Sequence, residues 1–170
     1  MNVWQVVGYK NSGKTTLIEK WVQAAAKEGY RVGTVKHHGH GGHPKRNDSY
    51  TDSRRHEQAG AVAVSVEGGG LLELHAWQPA WPLAQILSLY QLLPLDFVLV
   101  EGYKQEMHKK VVMLRNKDDW DSLSRLSNII AVIAWESPSQ LSFIPYPLFF
   151  IDDEESYLHW LMNEVRNANE

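Results

Sequence analysis

The stretch Gly8-Tyr9-Lys10-Asn11-Ser12-Gly13-Lys14-Thr15-Thr16 fits the phosphate-loop pattern G-x-x-x-x-G-K-[ST] and constrains the fold more than any other feature. Its context fits too. Val3-Trp4-Gln5-Val6-Val7 reads as a buried strand, and Leu17 to Glu28 reads as a helix. A strand, a glycine loop and a helix in that order turn several backbone N–H groups and a helix N-terminus toward one point, and that point attracts phosphate. Glycine lets the backbone turn and approach an anion closely. Lys14 is expected to reach the β and γ phosphates, and the Thr15 hydroxyl to ligate magnesium.

The rest of the chain alternates strands and helices. Tyr30–Lys36 is expected as a second strand, after a helix capped by Gly29. The helix carries Leu17, Ile18, Trp21, Val22 and Ala25 on one face, so the opening strand–helix–strand implies a right-handed parallel crossover. His37 to Tyr50 is polar and glycine-rich and reads as a long loop, followed by a short helix at about Thr51–Gln58. Strands are expected at Ala61–Val66, Leu71–His75, Phe97–Val100, Lys110–Leu114, Ile129–Ala134 and Leu148–Ile151. A helix carries Leu83, Ile86, Leu87, Tyr90 and Leu93, and a final one, capped by Asp152 or Asp153, carries Leu158, Leu161, Met162 and Val165. The expected class is α/β: a P-loop NTPase-type three-layer fold, a mainly parallel sheet flanked by helices. With no internal repeat and no linker, residues 1–170 read as a single nucleotide-binding domain.

Composition narrows the function. The net charge of −3 gives no basic excess for nucleic acid, and the apolar runs are too short to span a bilayer. The absence of cysteine excludes disulfides, thiolate metal sites and thiol nucleophiles. A strand starting at the first residues leaves no room for a leader, so a cytoplasmic location is expected.

A phosphate loop needs a second acid near the metal. Glu101 follows the run Phe97–Val100, and strand C-terminal ends face the ligand side of such a sheet. Asp96 lies at the other end of that strand, about 17 Å away, and cannot share the site. Asp48 and Asp52 either complete the magnesium shell from a switch-like segment or cap a helix. Arg54 and Arg55 either neutralise a transferring phosphoryl group or stand on a solvated face. Asn116-Lys117-Asp118-Asp119 matches [NT]-K-x-D, whose carboxylate accepts two guanine N–H groups; the other reading is a charged turn after a strand. His37, His38, His40 and His43, with His56 farther on, either bind a transition metal or belong to a polar switch loop.

With Gly8–Thr16, Val35-Lys36-His37-His38-Gly39-His40, Asp52–Ala61 and Val100-Glu101-Gly102-Tyr103-Lys104 taken together, the chain resembles the MobB family, molybdopterin-guanine dinucleotide biosynthesis protein B, over nearly its whole length. The resemblance implies a GTP-binding P-loop protein, usually a homodimer, that assists the guanylyltransferase attaching GMP to molybdenum cofactor, with weak GTP turnover. It implies nucleotide binding by Gly8, Asn11, Gly13, Lys14, Thr15 and Thr16, with Glu101 and Gly102 as the second-acid motif. Lys10 and Ser12 lie within the same loop. Asn116–Asp119 stands apart from the resemblance. GTP and magnesium are therefore the expected ligands. The rival readings are a metal-delivery GTPase using the histidine loop, a small-molecule kinase, and a dimeric scaffold that holds nucleotide without hydrolysing it.

Overall fold

The computed structural model describes residues 1–38, 52–137 and 141–169. They form two compact units, Met1–Gly39 with Leu87–Glu170, and His40–Ile86.

The first unit is built on a six-stranded, wholly parallel sheet. Its strands are β1 (Asn2–Gly8), β2 (Val32–Lys36), β5 (Phe97–Glu101), β6 (Lys109–Leu114), β7 (Ile129–Ala134) and β8 (Leu148–Phe150), in the order β2-β5-β1-β6-β7-β8. The parallel crossover from β1 to β2 is present, but β5 sits between the two strands. β5 is buried at every position, as its unbroken apolar run requires of a strand covered on both faces. The second strand begins at Val32 rather than Tyr30 because Tyr30 completes the preceding helix cap.

Helix α1 (Lys14–Lys27) and helix α5 (Glu154–Asn169) cover one face of the sheet. Leu17, Ile18, Trp21 and Ala25 of α1 and Tyr157, Leu161, Met162 and Val165 of α5 pack on Trp4, Val6, Phe97, Leu99, Val111, Met113 and Ile133. On the other face, Val7, Val112, Leu114, Val132 and Ala134 pack with Trp120 and Leu123 of the short helix α4 (Trp120–Leu123) and with Leu141 and Ile144. Gly29 at φ 85° ends α1: the Gly29 amide donates to Ala26 O at 3.0 Å and the Tyr30 amide to Ala25 O at 3.1 Å, two bonds that close a left-handed cap. Asp153 starts α5, accepting from the Ser156 amide at 3.4 Å.

The connection from β5 to β6 is unusual. It must cross β1, yet residues 102–108 contain no helix. The registers make so short a crossing feasible, because Glu101 lies level with Val6 and Lys109 level with Trp4. A bare loop over a sheet brings carbonyls that need partners. Gln5 and Lys110, neighbours in register and fully buried, supply them. The Gln5 amide donates to Gly102 O at 3.0 Å and Tyr103 O at 2.7 Å; the Lys110 ammonium donates to His108 O at 3.1 Å and to Glu106 O. Burial pushes the Lys110 ammonium below the usual lysine range, with Glu106 opposing.

In the second unit, helix α2 (Asp52–Gln58) precedes an antiparallel hairpin of β3 (Ala63–Gly68) and β4 (Leu71–Ala76). Gly69 and Gly70 at φ 59° and 84° make its turn, which needs positive φ at both positions. The hairpin leaves Val66, Leu71, Leu72 and Leu74 exposed. Helix α3 (Leu83–Tyr90) spans the junction of the two units. Among the described residues no helix is long and apolar enough to cross a membrane.

Two stability effects are expected. Lys110→Met takes the ammonium donor from the Glu106 and His108 carbonyls and should lower unfolding free energy by about 1–3 kcal/mol in urea titrations. Asp96, at the opposite end of β5 from Glu101, is held below the usual carboxylate range by Arg31, whose guanidinium and backbone amide both donate to it. A lowered carboxyl pKa means the folded state binds fewer protons, so this stabilisation is present above the ordinary aspartate value of 3.8 and fades as pH falls below it. Asp96→Asn should therefore flatten the acid limb of a pH–melting curve.

Candidate phosphate-binding site

Parallel strands bring their C-terminal ends to one edge, and there the candidate groups collect. Glu101 at the end of β5 is in register with Val6 on one side and with Lys36, the last residue of β2, on the other. Gly8 at the end of β1 is level with Met113 of β6. Arg115 and Trp135 follow the ends of β6 and β7.

The loop after β1 can be built only with glycine at its ends. A Cβ on Gly8, at φ 157°, would lie 2.6 Å from both Met113 O and Ser12 Oγ. Gly13, at φ 93°, is the residue before α1, and a Cβ there would press on Met113 at 3.3 Å. Asn11 takes a left-handed conformation at φ 61°. Ser12 is buried, its backbone carbonyl accepting from the Trp135 indole N–H at 3.0 Å. Its hydroxyl has no hydrogen-bond partner among the described residues. The Ser12 amide donates to Tyr9 O at 3.3 Å, and the Lys14 ammonium folds back onto the same carbonyl at 2.7 Å. No side chain among the described residues caps α1, so its first-turn amides, from Lys14, Thr15 and Thr16, face outward without intrahelical acceptors. Lys10 is exposed, and its carbonyl accepts from Arg115 at 3.4 Å.

Thr15 and Glu101 meet. The Thr15 hydroxyl donates to Glu101 Oε2 at 2.9 Å. Magnesium holds oxygen ligands at about 2.1 Å in near-octahedral array, which sets adjacent ligands about 3 Å apart, so this pair fits two neighbouring positions of such a shell. A third group touches both oxygens: the Lys36 ammonium lies 2.9 Å from Thr15 Oγ1 and 3.0 Å from Glu101 Oε2. A cleft of about 410 Å³ adjoins the three, lined also by Ile18, Val22 and Val35.

The site is cationic. Burial lowers the Lys14 pKa first; Glu101 opposes, and Lys104, Lys36 and Arg115 push it down further. A lysine hemmed by three more cations and one carboxylate marks a place short of negative charge. Tyr9 carries two of these cations on its ring, Lys104 at 4.3 Å and Arg115 at 5.7 Å. Sequence reasoning did not single out Lys36, Lys104, Arg115 or Trp135 as site residues. The signal was available for Lys36, Arg115 and Trp135, since each stands at or just past a strand's C-terminal end.

The remaining candidates separate. Asn116 Oδ1 accepts from the Asp119 amide at 3.0 Å, opening a 3₁₀ turn, and the Lys117 amide donates to Glu136 at 3.0 Å. Both Asp119 oxygens receive Arg115, at 3.0 and 3.2 Å, so the carboxylate must part from that guanidinium before it can pair with a base. His37 hydrogen-bonds Glu101 O through its amide at 3.0 Å and sets its ring 4.6 Å from that of Tyr103; His38 is exposed. Asp52, Arg55 and His56 belong to α2 in the second unit, where Arg55 lies 3.6 Å from Asp52. Asp48, His40 and His43 fall outside the described residues. Among the described residues no three His, Asp or Glu side chains converge as a metal cage.

Residues 3–135, from the first strand to Trp135, match the model of the family described as molybdopterin guanine dinucleotide synthesis protein B, MobB. The chain belongs to the MobB family. It is 42% identical over 149 residues to a Bacillus subtilis protein described as a probable molybdopterin-guanine dinucleotide biosynthesis adapter protein, covering 88% of this chain and 85% of that one. It is similar to the crystal structure of a MobB protein homolog from Bacillus stearothermophilus, 54% identical with a TM-score of 0.79 over 98% and 99% of the two chains. Bacillus subtilis MobB, 37% identical, superposes with a TM-score of 0.84 over 96% and 97%. The parallel six-stranded sheet is therefore the MobB architecture, a P-loop NTPase-like α/β fold.

If the loop geometry of this MobB chain requires the bare backbone, Gly8→Ala should destabilise it by about 2 kcal/mol or more, because the new methyl meets a main-chain oxygen. Thermal melts of the variant against Gly29→Ala, whose Cβ meets nothing within 4 Å, separate contact from simple φ strain.

Proposed function

We propose that this protein is a GTP-binding accessory protein of molybdopterin guanine dinucleotide synthesis, assisting the guanylyltransferase, with slow intrinsic GTP hydrolysis. Membership of the family and relatives described as adapter proteins support the accessory role. The observation that carries the nucleotide reading is the meeting of Thr15 with Glu101 beside Lys14 at the open end of α1. In this reading the outward amides of the first turn and the Lys14 ammonium bind the phosphates. Thr15 and Glu101 are the residues that would hold magnesium, which would supply positive charge to offset that of the phosphates. Lys104 and Arg115 widen the positive field that draws the triphosphate in.

Slow turnover follows from the acids present. Glu101 is committed to Thr15 and Lys36, which leaves it a poor general base for an attacking water. Selection of guanine by Asp119 is part of the proposal and requires release from Arg115. The exposed apolar positions of the β3–β4 hairpin support a homodimer, since an isolated two-stranded sheet is marginal without a covering partner.

Calorimetry tests the reading directly. The protein with magnesium should bind GTP saturably and prefer it over ATP, and Lys14→Ala should weaken binding by about tenfold or more, the loss of one charge-assisted phosphate contact. Absence of saturable GTP binding by the unmodified protein overturns the proposal.

A further inference from the structure

We propose that Lys36 is a tethered cation that holds the Thr15–Glu101 pair and exchanges with the divalent ion for the same two oxygens. The proposal rests on the nucleotide reading of the loop.

Three atoms carry it. Lys36 Nζ, Thr15 Oγ1 and Glu101 Oε2 form a nearly equilateral triangle with sides of 2.9, 3.0 and 2.9 Å. The ammonium donates to the hydroxyl oxygen, and the hydroxyl donates to the carboxylate, so every polar contact within the triangle is satisfied. The hydroxyl oxygen thus presents its lone pair to a cation, as it must to bind a metal. Glu101 is 12% exposed and adjoins a cleft lined by Ile18, Val22 and Val35, where an unpaired carboxylate is costly. Some positive charge has to sit beside it.

Lys36 can also leave. Its side chain is 58% exposed, its charge rides on a flexible four-carbon stem, and a partly exposed lysine–carboxylate pair is weak. A divalent ion on the same two oxygens delivers twice the charge. Two cations cannot share one edge of the pair, so the metal and the ammonium exclude each other. Lys36 closes β2 while Thr15 stands in the first turn of α1, and the exchange therefore links metal binding to the end of a strand that no phosphate-loop residue belongs to.

The test compares the full-length protein with Lys36→Met and with Glu101→Gln, alone and combined. The first measurement is manganese binding to nucleotide-free protein, followed by electron paramagnetic resonance. Removing the competing ammonium should tighten manganese binding by about tenfold, a change that disappears when Glu101→Gln is also present. The second is GTP affinity by calorimetry in EDTA and in saturating magnesium. Loss of Lys36 leaves Glu101 facing the phosphates uncompensated, so affinity in EDTA should fall by about tenfold, while affinity in magnesium changes by less than about threefold. Thermal melts confirm that the variants fold. Equal manganese affinity in the unmodified protein and Lys36→Met overturns the exchange, as does failure of both to bind manganese. Failure of the unmodified protein to bind GTP in either condition overturns the nucleotide reading instead, and the manganese measurement still decides the role of Lys36.

Discussion

Strand β1 lies between β5 and β6, buried from Trp4 to Gly8, and its two registers decide where Glu101 and the glycine loop stand. With Val6 level with Glu101, the carboxylate emerges one short turn from the glycine loop. With Gly8 level with Met113, the loop must pass over a main-chain oxygen, and only a residue without Cβ can do so. A slip of one residue in the β1–β5 register would turn Glu101 to the opposite face of the sheet relative to β1. The packing of Trp4, Val6, Phe97 and Leu99 under α1 and α5 therefore maintains the site as well as the core.

The polar residues within the core serve the same end. Gln5 and Lys110 are buried because the β5–β6 crossover runs over them without a helix. Their donors hold the backbone of Gly102, Tyr103, Glu106 and His108, and thereby the start of the segment that carries Lys104 to the ring of Tyr9. The buried donors and the cationic rim belong to one arrangement. Removing the first should loosen the second, because nothing apolar in residues 102–108 is buried to pin the loop otherwise.

Much of this could be read in the residues. The glycine–lysine–threonine loop, the continuous apolar run of β5 and the Gly29 cap each have one local cause, and each is found where that cause puts it. The rejection of Asp96 in favour of Glu101 needed only the length of a strand, and Asp96 is paired with Arg31 at the far end. Lys36, Arg115 and Trp135 were harder. A lysine closing a strand, an arginine after one and a tryptophan after another are ordinary surface residues until the strand order is known. The insertion of β5 between β1 and β2 has no local signal at all, since the two halves of that pairing are far apart in the chain.

The sequence by itself determined the glycine loop between β1 and α1, the α/β alternation and the placing of Glu101 rather than Asp96 at the loop end of β5, because glycine conformation, hydrophobic period and strand length act over a few residues. Only the tertiary structure decided which cations surround that loop and that an ammonium bridges the threonine and the carboxylate. Those contacts join the ends of separate strands, and their distances follow from sheet order and register, which no short stretch of chain encodes.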